Sequence, residues 1–94
     1  MQELLFSWSD EKNQKLQNER GISFEEILFS IKQDKIVDII INPSSNFDNQ
    51  KCYLLEIEEY IWVVPYVQNQ NKIFLKTAFP SRKFTKIYLK GDRK

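Results

Sequence analysis

Phe24, Ile27, Leu28 and Ile31 fall at i, i+3, i+4 and i+7, the spacing that sets apolar side chains on one face of a helix. They follow a capping box, Ser23-Phe24-Glu25-Glu26, in which Ser23 can bond an amide three residues on and Glu26 can reach back. A helix is therefore predicted to open at Ser23. Upstream, Glu3 to Ser9 mixes aliphatic and aromatic residues and reads as a strand. Ser9 or Asp10 can then cap a helix over DEKNQKLQNER, with Asp10 and Glu11 at the positive end of its dipole and Arg20 at the other. Gly21 supplies the left-handed stop. Leu16 is the only aliphatic residue of this helix, so it must lean on Trp8 and Ile22 at its ends.

The second half is strand-like. Lys35 to Asn42 leaves open a last helical turn, a short extended piece, or both, and Asn42 to Asn46 reads as a loop by composition. Lys51 to Glu58 alternates Tyr53, Leu55 and Ile57 against Cys52, Leu54 and Glu56. Tyr60 to Val67 is apolar on both faces, which fits a central strand, although Pro65 demands a bulge or an unpaired edge. Gln68 to Asn71 turns the chain, Ile73 to Phe79 returns it, and Ser81 or Thr85 caps a short helix ending near Gly91. The predicted order is β-α-α-β-β-β-α over residues 1–94, one α+β domain with a small antiparallel sheet packed by helices on one face.

Charge changes this picture. Residues 72–94 hold eight basic residues against Asp92 alone, a net of +7, whereas residues 1–71 hold six basic and twelve acidic residues, a net of −6. The overall +1 thus conceals a dipolar chain, and such asymmetry points to a polyanionic partner. Cys52 is the single cysteine and there is no His, which excludes an intrachain disulfide and leaves a metal site poorly supplied. It also removes the usual near-neutral general base and the Ser-His and Cys-His nucleophile pairs. With only Gly21 and Gly91 there is no glycine-rich phosphate loop. No basic leader segment opens the chain and no apolar run is long enough to span a membrane, so a soluble cytoplasmic domain without a cofactor is expected.

If Ile73, Leu75 and Thr77 face the helices, Phe74, Lys76 and Ala78 face the other side, with Arg82 and Lys83 just beyond the strand end. Rings with cations at the rim of a sheet face suit RNA, since rings stack on bases and cations hold phosphates. The plainer reading of Lys90, Arg93 and Lys94 is a solvated tail. Trp8 is either core or a stacking partner beside Lys12, and Trp62 reads as core. Glu56, Glu58 and Glu59 read as a solvated strand end, able to act as a base only if the fold carries one to Lys76. Cys52 reads as structural.

WSDEKNQKLQNERGISFEE resembles the W-D-x-x-K-N…(H/R)-G-[IV]-S-F-E-E opening of the BrnT-like toxins of type II toxin–antitoxin systems, and SRKFTKIY resembles their S-x-R-K-x-[ST] ending. The resemblance covers roughly residues 6–31 and 73–88. It implies a RelE-like fold, RNA cleavage without a metal, and neutralisation by a co-encoded DNA-binding antitoxin in a hetero-oligomer, with the ribosome as a further candidate partner. By position it carries over Trp8, Lys12, Arg82 and Lys83, with Glu25 in the matched helix opening. The chain departs from the pattern in having Arg20 where a His is common, Ile73 to Thr77 where many members have an Arg-rich strand, and Pro80 before the Ser-Arg-Lys. The expected catalytic set is Lys76 and Arg82 on the scissile phosphate with Lys83 or Tyr88 for proton transfer. Trp8, Lys12, Arg20 and Lys86 are the expected RNA-binding residues. Two other readings stand beside the ribonuclease: a non-catalytic module that binds nucleic acid or protein through the same basic surface, and an interaction domain whose basic tail serves only solubility.

Overall fold

The computed structural model describes residues 3–42 and 50–90. Within them the chain forms β1 (Leu5–Ser7), α1 (Asp10–Arg20), α2 (Phe24–Lys32), β2 (Ile36–Ile41), β3 (Gln50–Ile57), β4 (Tyr60–Asn69), β5 (Lys72–Leu75), β6 (Phe79–Pro80) and α3 (Arg82–Thr85), which runs on as a π-helical turn over Lys86–Lys90. The α+β class holds. The expected loop at 43–46, the helix end at Gly91 and the tail residues Arg93 and Lys94 lie outside the described residues, as does the side chain of Lys90.

The sheet runs β1-β5-β4-β3-β2, with β6 continuing beside β4. It is mixed rather than antiparallel, because β1 pairs parallel with β5, Phe6 opposite Ile73. A parallel pair needs a crossover, and here both helices and three strands intervene. The ambiguous stretch after α2 resolves into an edge strand, with a bulge at Val37 that sets Asp38 opposite Leu54.

Helices cover both faces of the sheet, not one. On the first face α1 and α2 bring Leu16, Ile22, Phe24 and Ile27 onto Tyr53, Leu55, Val64, Tyr66, Ile73 and Leu75. On the second, Cys52, Leu54, Ile61 and Val63 are covered by Phe84, Tyr88 and Leu89 of the C-terminal helix. The cause lies in β3 and β4 themselves: successive residues point to opposite faces, and both sets are apolar, so each face must be buried.

Pro65 accounts for the break between β5 and β6. Its carbonyl accepts from the Lys76 N–H at 2.8 Å, so its absent N–H faces the same neighbour. Opposite Val64 and Pro65 the chain runs Lys76-Thr77-Ala78, one residue more than the register between Tyr66↔Leu75 and Val63↔Phe79 needs. The extra residue reverses the alternation. Ala78, expected on the open side with Lys76, is fully buried in the first-face core, while Phe79 turns to the second face.

Two buried polar side chains pin the helices. Asn13 Oδ1 accepts from the Phe24 N–H at 2.8 Å and its Nδ2 donates to Glu25 Oε1 at 2.8 Å, which joins α1 to an otherwise orphan amide at the start of α2. The capping box forms as expected: Ser23 Oγ accepts from the Glu26 N–H, and Glu26 Oε1 from the Ser23 N–H. Thr85 Oγ1 accepts from the Ile61 N–H at 2.8 Å and donates to the Ser81 carbonyl at 2.7 Å, while the Ser81 N–H donates to the Ile61 carbonyl at 2.9 Å. Both backbone groups of Ile61 are therefore met by the cap of α3, which fixes that helix to β4.

Candidate nucleic-acid interface

On the second face the sheet is not fully covered. Between β2 and the β5–β6 bulge lies a groove of about 450 Å³. Its floor is Cys52, Val63 and Pro65, its walls are Ile40 on one side and Thr77 and Phe79 on the other, and Ser81, Lys83 and Phe84 close one end. Lys76 stands at the bulge and lines the same groove. Its position follows from strand alternation after the buried Leu75; that of Lys83 follows from Ser81, whose Oγ caps α3 by accepting from the Phe84 N–H.

Lys76, Arg82, Lys83 and Lys86 are exposed, and among the described residues none of them makes an ion pair. Lys83 Nζ lies 5.8 Å from the centroid of the Phe84 ring, within cation–π range. Phe79 and Phe74, both on this face, are about two-fifths exposed. An apolar trough with cations at its rim and ring surface within it can hold bases by stacking while phosphates meet ammonium and guanidinium groups. Burial raises the pKa of the Cys52 thiol, so it stays protonated and is no nucleophile at neutral pH.

Tyr88 packs beside this face, where its hydroxyl donates to Asp38 Oδ2 at 2.7 Å. The other oxygen, Oδ1, accepts from the Ile39 N–H at 2.8 Å. These bonds to Tyr88 and then Ile39 hold the Asp38 carboxyl below its usual range, and the same carboxylate raises the Tyr88 hydroxyl above its own. The pair ties the C-terminal helix to the edge strand. Asp38 strengthens the tie only while ionised, so its contribution is present above its unfolded pKa and is lost as pH falls through the lowered folded value. The Tyr88 contribution is present below its unfolded pKa and is lost as pH rises through the raised one. In Tyr88→Phe, an NMR pH titration is expected to find the Asp38 carboxyl returned towards its ordinary value; an unmoved midpoint would show the bond is not made in solution.

The fold does not bring the expected RNA-binding residues to one place. Trp8 is half-buried on the first face, stacked on Phe24 with ring centroids 5.5 Å apart, and Lys12 lies nearby with its N–H donating to Ser9 Oγ. Arg20 also stands on the first face, in a cleft with Glu25, Glu26 and Glu58. Trp62, read as core, is only partly buried and lines that cleft. The carboxylates of the β3–β4 hairpin stay away from Lys76: Glu56 pairs with Ile61, four residues and so about 13 Å along β4 from Pro65. Sequence reasoning missed Phe79 and Phe84 as groove residues; for Phe79 the signal was Pro65, which allowed the bulge that turns it outward.

Among the described residues no group of three or more Cys, Asp or Glu side chains could hold a metal, and no helix is long and apolar enough to cross a membrane. Compared with protein-family models, with curated proteins and with solved structures, the chain matches none.

Proposed function

We propose that this chain binds single-stranded RNA in the second-face groove and cleaves it as the ribonuclease toxin of a toxin–antitoxin pair. The observation that carries the reading is the meeting of Lys76 and Lys83, from separate elements, over one groove that also holds Phe79 and Phe84. Arg82 adjoins Lys83 at the start of α3 and supplies the fork-shaped donor set that suits a phosphate.

In the chemistry that fits these residues, the RNA 2′-oxygen attacks the adjacent phosphorus and the bond to the 5′-oxygen breaks. The products are a 2′,3′-cyclic phosphate and a 5′-hydroxyl. Lys76 and Arg82 stabilise the extra charge of the pentavalent transition state, a term that is often the largest in catalysis. Lys83, which lines the groove, relays the 2′-proton to the leaving oxygen. Tyr88 is less suited to proton transfer, since its hydroxyl donates to Asp38 and its pKa is raised. A co-encoded antitoxin and the ribosome remain the proposed partners.

Binding without cleavage is the second reading, and the make-up of the groove favours it: its ionisable lining residues are Cys52, Lys76 and Lys83, with no carboxylate. Labelled single-stranded RNA in EDTA separates the two. Fragments ending in a cyclic phosphate, made by the wild type and reduced at least a hundredfold in Arg82→Ala, are expected of the nuclease. Saturable binding with intact RNA would leave the binding module, and neither binding nor cleavage would sink both readings.

A further inference from the structure

The first face carries a second concavity, about 500 Å³, between the start of α2 and the β3–β4 hairpin. Ile22, Ile57 and Trp62 form its floor, and Phe29 rises from α2 beside it. Phe29 is 64% exposed, two residues round the helix from the buried Ile27, so its ring serves no packing role in the isolated chain. Large apolar side chains left exposed beside a concave floor mark surfaces where another molecule docks.

The rim selects the occupant. Three of the charged lining residues, Glu25, Glu26 and Glu58, are acidic against Arg20 alone. Asn13 donates to Glu25 and holds its carboxyl in the ionised form. Glu58 and Glu59 occupy the two central positions of the hairpin turn with φ of 53° and 65°. That left-handed pair is the usual place for Asn-Gly, so the hairpin carries its acidic tip against backbone strain. RNA is repelled by such a rim, whereas a cationic chain is attracted.

We infer that this cleft docks a segment of a protein partner in which an aliphatic or aromatic side chain, flanked by Lys or Arg, lies between Phe29 and Trp62. The partner would then sit on the face opposite the basic groove, so the inference does not depend on what the groove binds.

The test uses 15N-labelled full-length protein and a 14-residue amphipathic peptide, with leucines at i, i+3, i+4 and i+7 and lysines elsewhere. Its counterpart with glutamates in place of the lysines is the control. Saturable binding of the lysine peptide is expected, with shifts centred on Ile22, Phe29, Ile57 and Trp62. Phe29→Ser and Glu58→Lys should each weaken it at least tenfold, and the glutamate peptide should not bind. Both substituted side chains are exposed, so the variants fold. Shifts centred on Lys76 and Lys83, affinity untouched by Phe29→Ser, or no saturable binding would overturn the inference. Self-association of the free protein that Phe29→Ser abolishes would overturn it too, by placing a second copy in the cleft.

Discussion

Replacing Lys76 and Lys83 together with glutamate is expected to weaken single-stranded RNA binding by on the order of a hundredfold or more at low salt. A hydrogen bond to a charged group contributes about 1.5–3 kcal/mol, and about 1.4 kcal/mol corresponds to a factor of ten, so two lost contacts set the lower bound. Reversal adds repulsion between the new carboxylates and the phosphates. The salt dependence gives an independent reading. Each neutralised phosphate of a single strand contributes about −0.7 to the slope of log K against log salt, so losing two contacts should flatten that slope by about 1.4. Both side chains are exposed and outside any ion pair among the described residues, so circular dichroism and the melting temperature should hardly change. Filter binding at several salt concentrations measures both effects. Unchanged affinity with unchanged slope would remove the groove from RNA recognition and turn attention to Trp8 and Lys12 on the other side.

What could be read from the sequence was mostly local. The box at Ser23 needed only Glu26 three residues on, and the left-handed stop at Gly21 needed only its own freedom: its φ is 70°. Long-range geometry was less legible. The apolar content of both faces of Tyr60 to Val67 was visible, and so was the apolar Cys52 and Leu54 set of β3, yet neither says which segment covers the second face. The pairing of Ile61 with Ser81 and Thr85, and of Tyr88 with Asp38, places the C-terminal helix there. Pro65 demanded a bulge or an edge, and the choice between them depended on a neighbour sixteen residues later in sequence, Ser81 being the residue that re-anchors the chain to β4.

The residues of the two terminal motifs divide along the same line. Asn13, Gly21, Ser23, Glu26, Ser81 and Thr85 each serve folding in the structure, as a bridge, a cap or a turn. A pattern containing them therefore speaks first of how the helices begin, end and attach. Arg82 and Lys83 serve no such purpose. Both side chains are exposed, and Lys83 lines the basic groove with its Nζ over the Phe84 ring. Exposed cations that make none of the capping bonds are the part of the SRKFT segment left for function.

Phe24→Ala is expected to be the most destabilising single change on the first face, at about 3–5 kcal/mol. For 94 residues the total stability is about 5–14 kcal/mol, so the loss is about a fifth of it or more. Two effects coincide at this residue. Its side chain is fully buried in the first-face core. Its ring is the surface on which Trp8 stacks. Helix α1 buries only Asn13 and Leu16, so it has little else to hold it once the Phe24 ring is gone. A melting temperature lower by roughly 15–25 °C should accompany a red shift of Trp8 emission and loss of helical signal. Phe29→Ala, on the same helix but at an exposed position, should move the melting temperature by only a few degrees. Equal effects from the two substitutions would mean that α2 is not seated on the sheet by the face that carries Phe24 and Ile27, and both the core and the acidic cleft beside Phe29 would have to be redrawn.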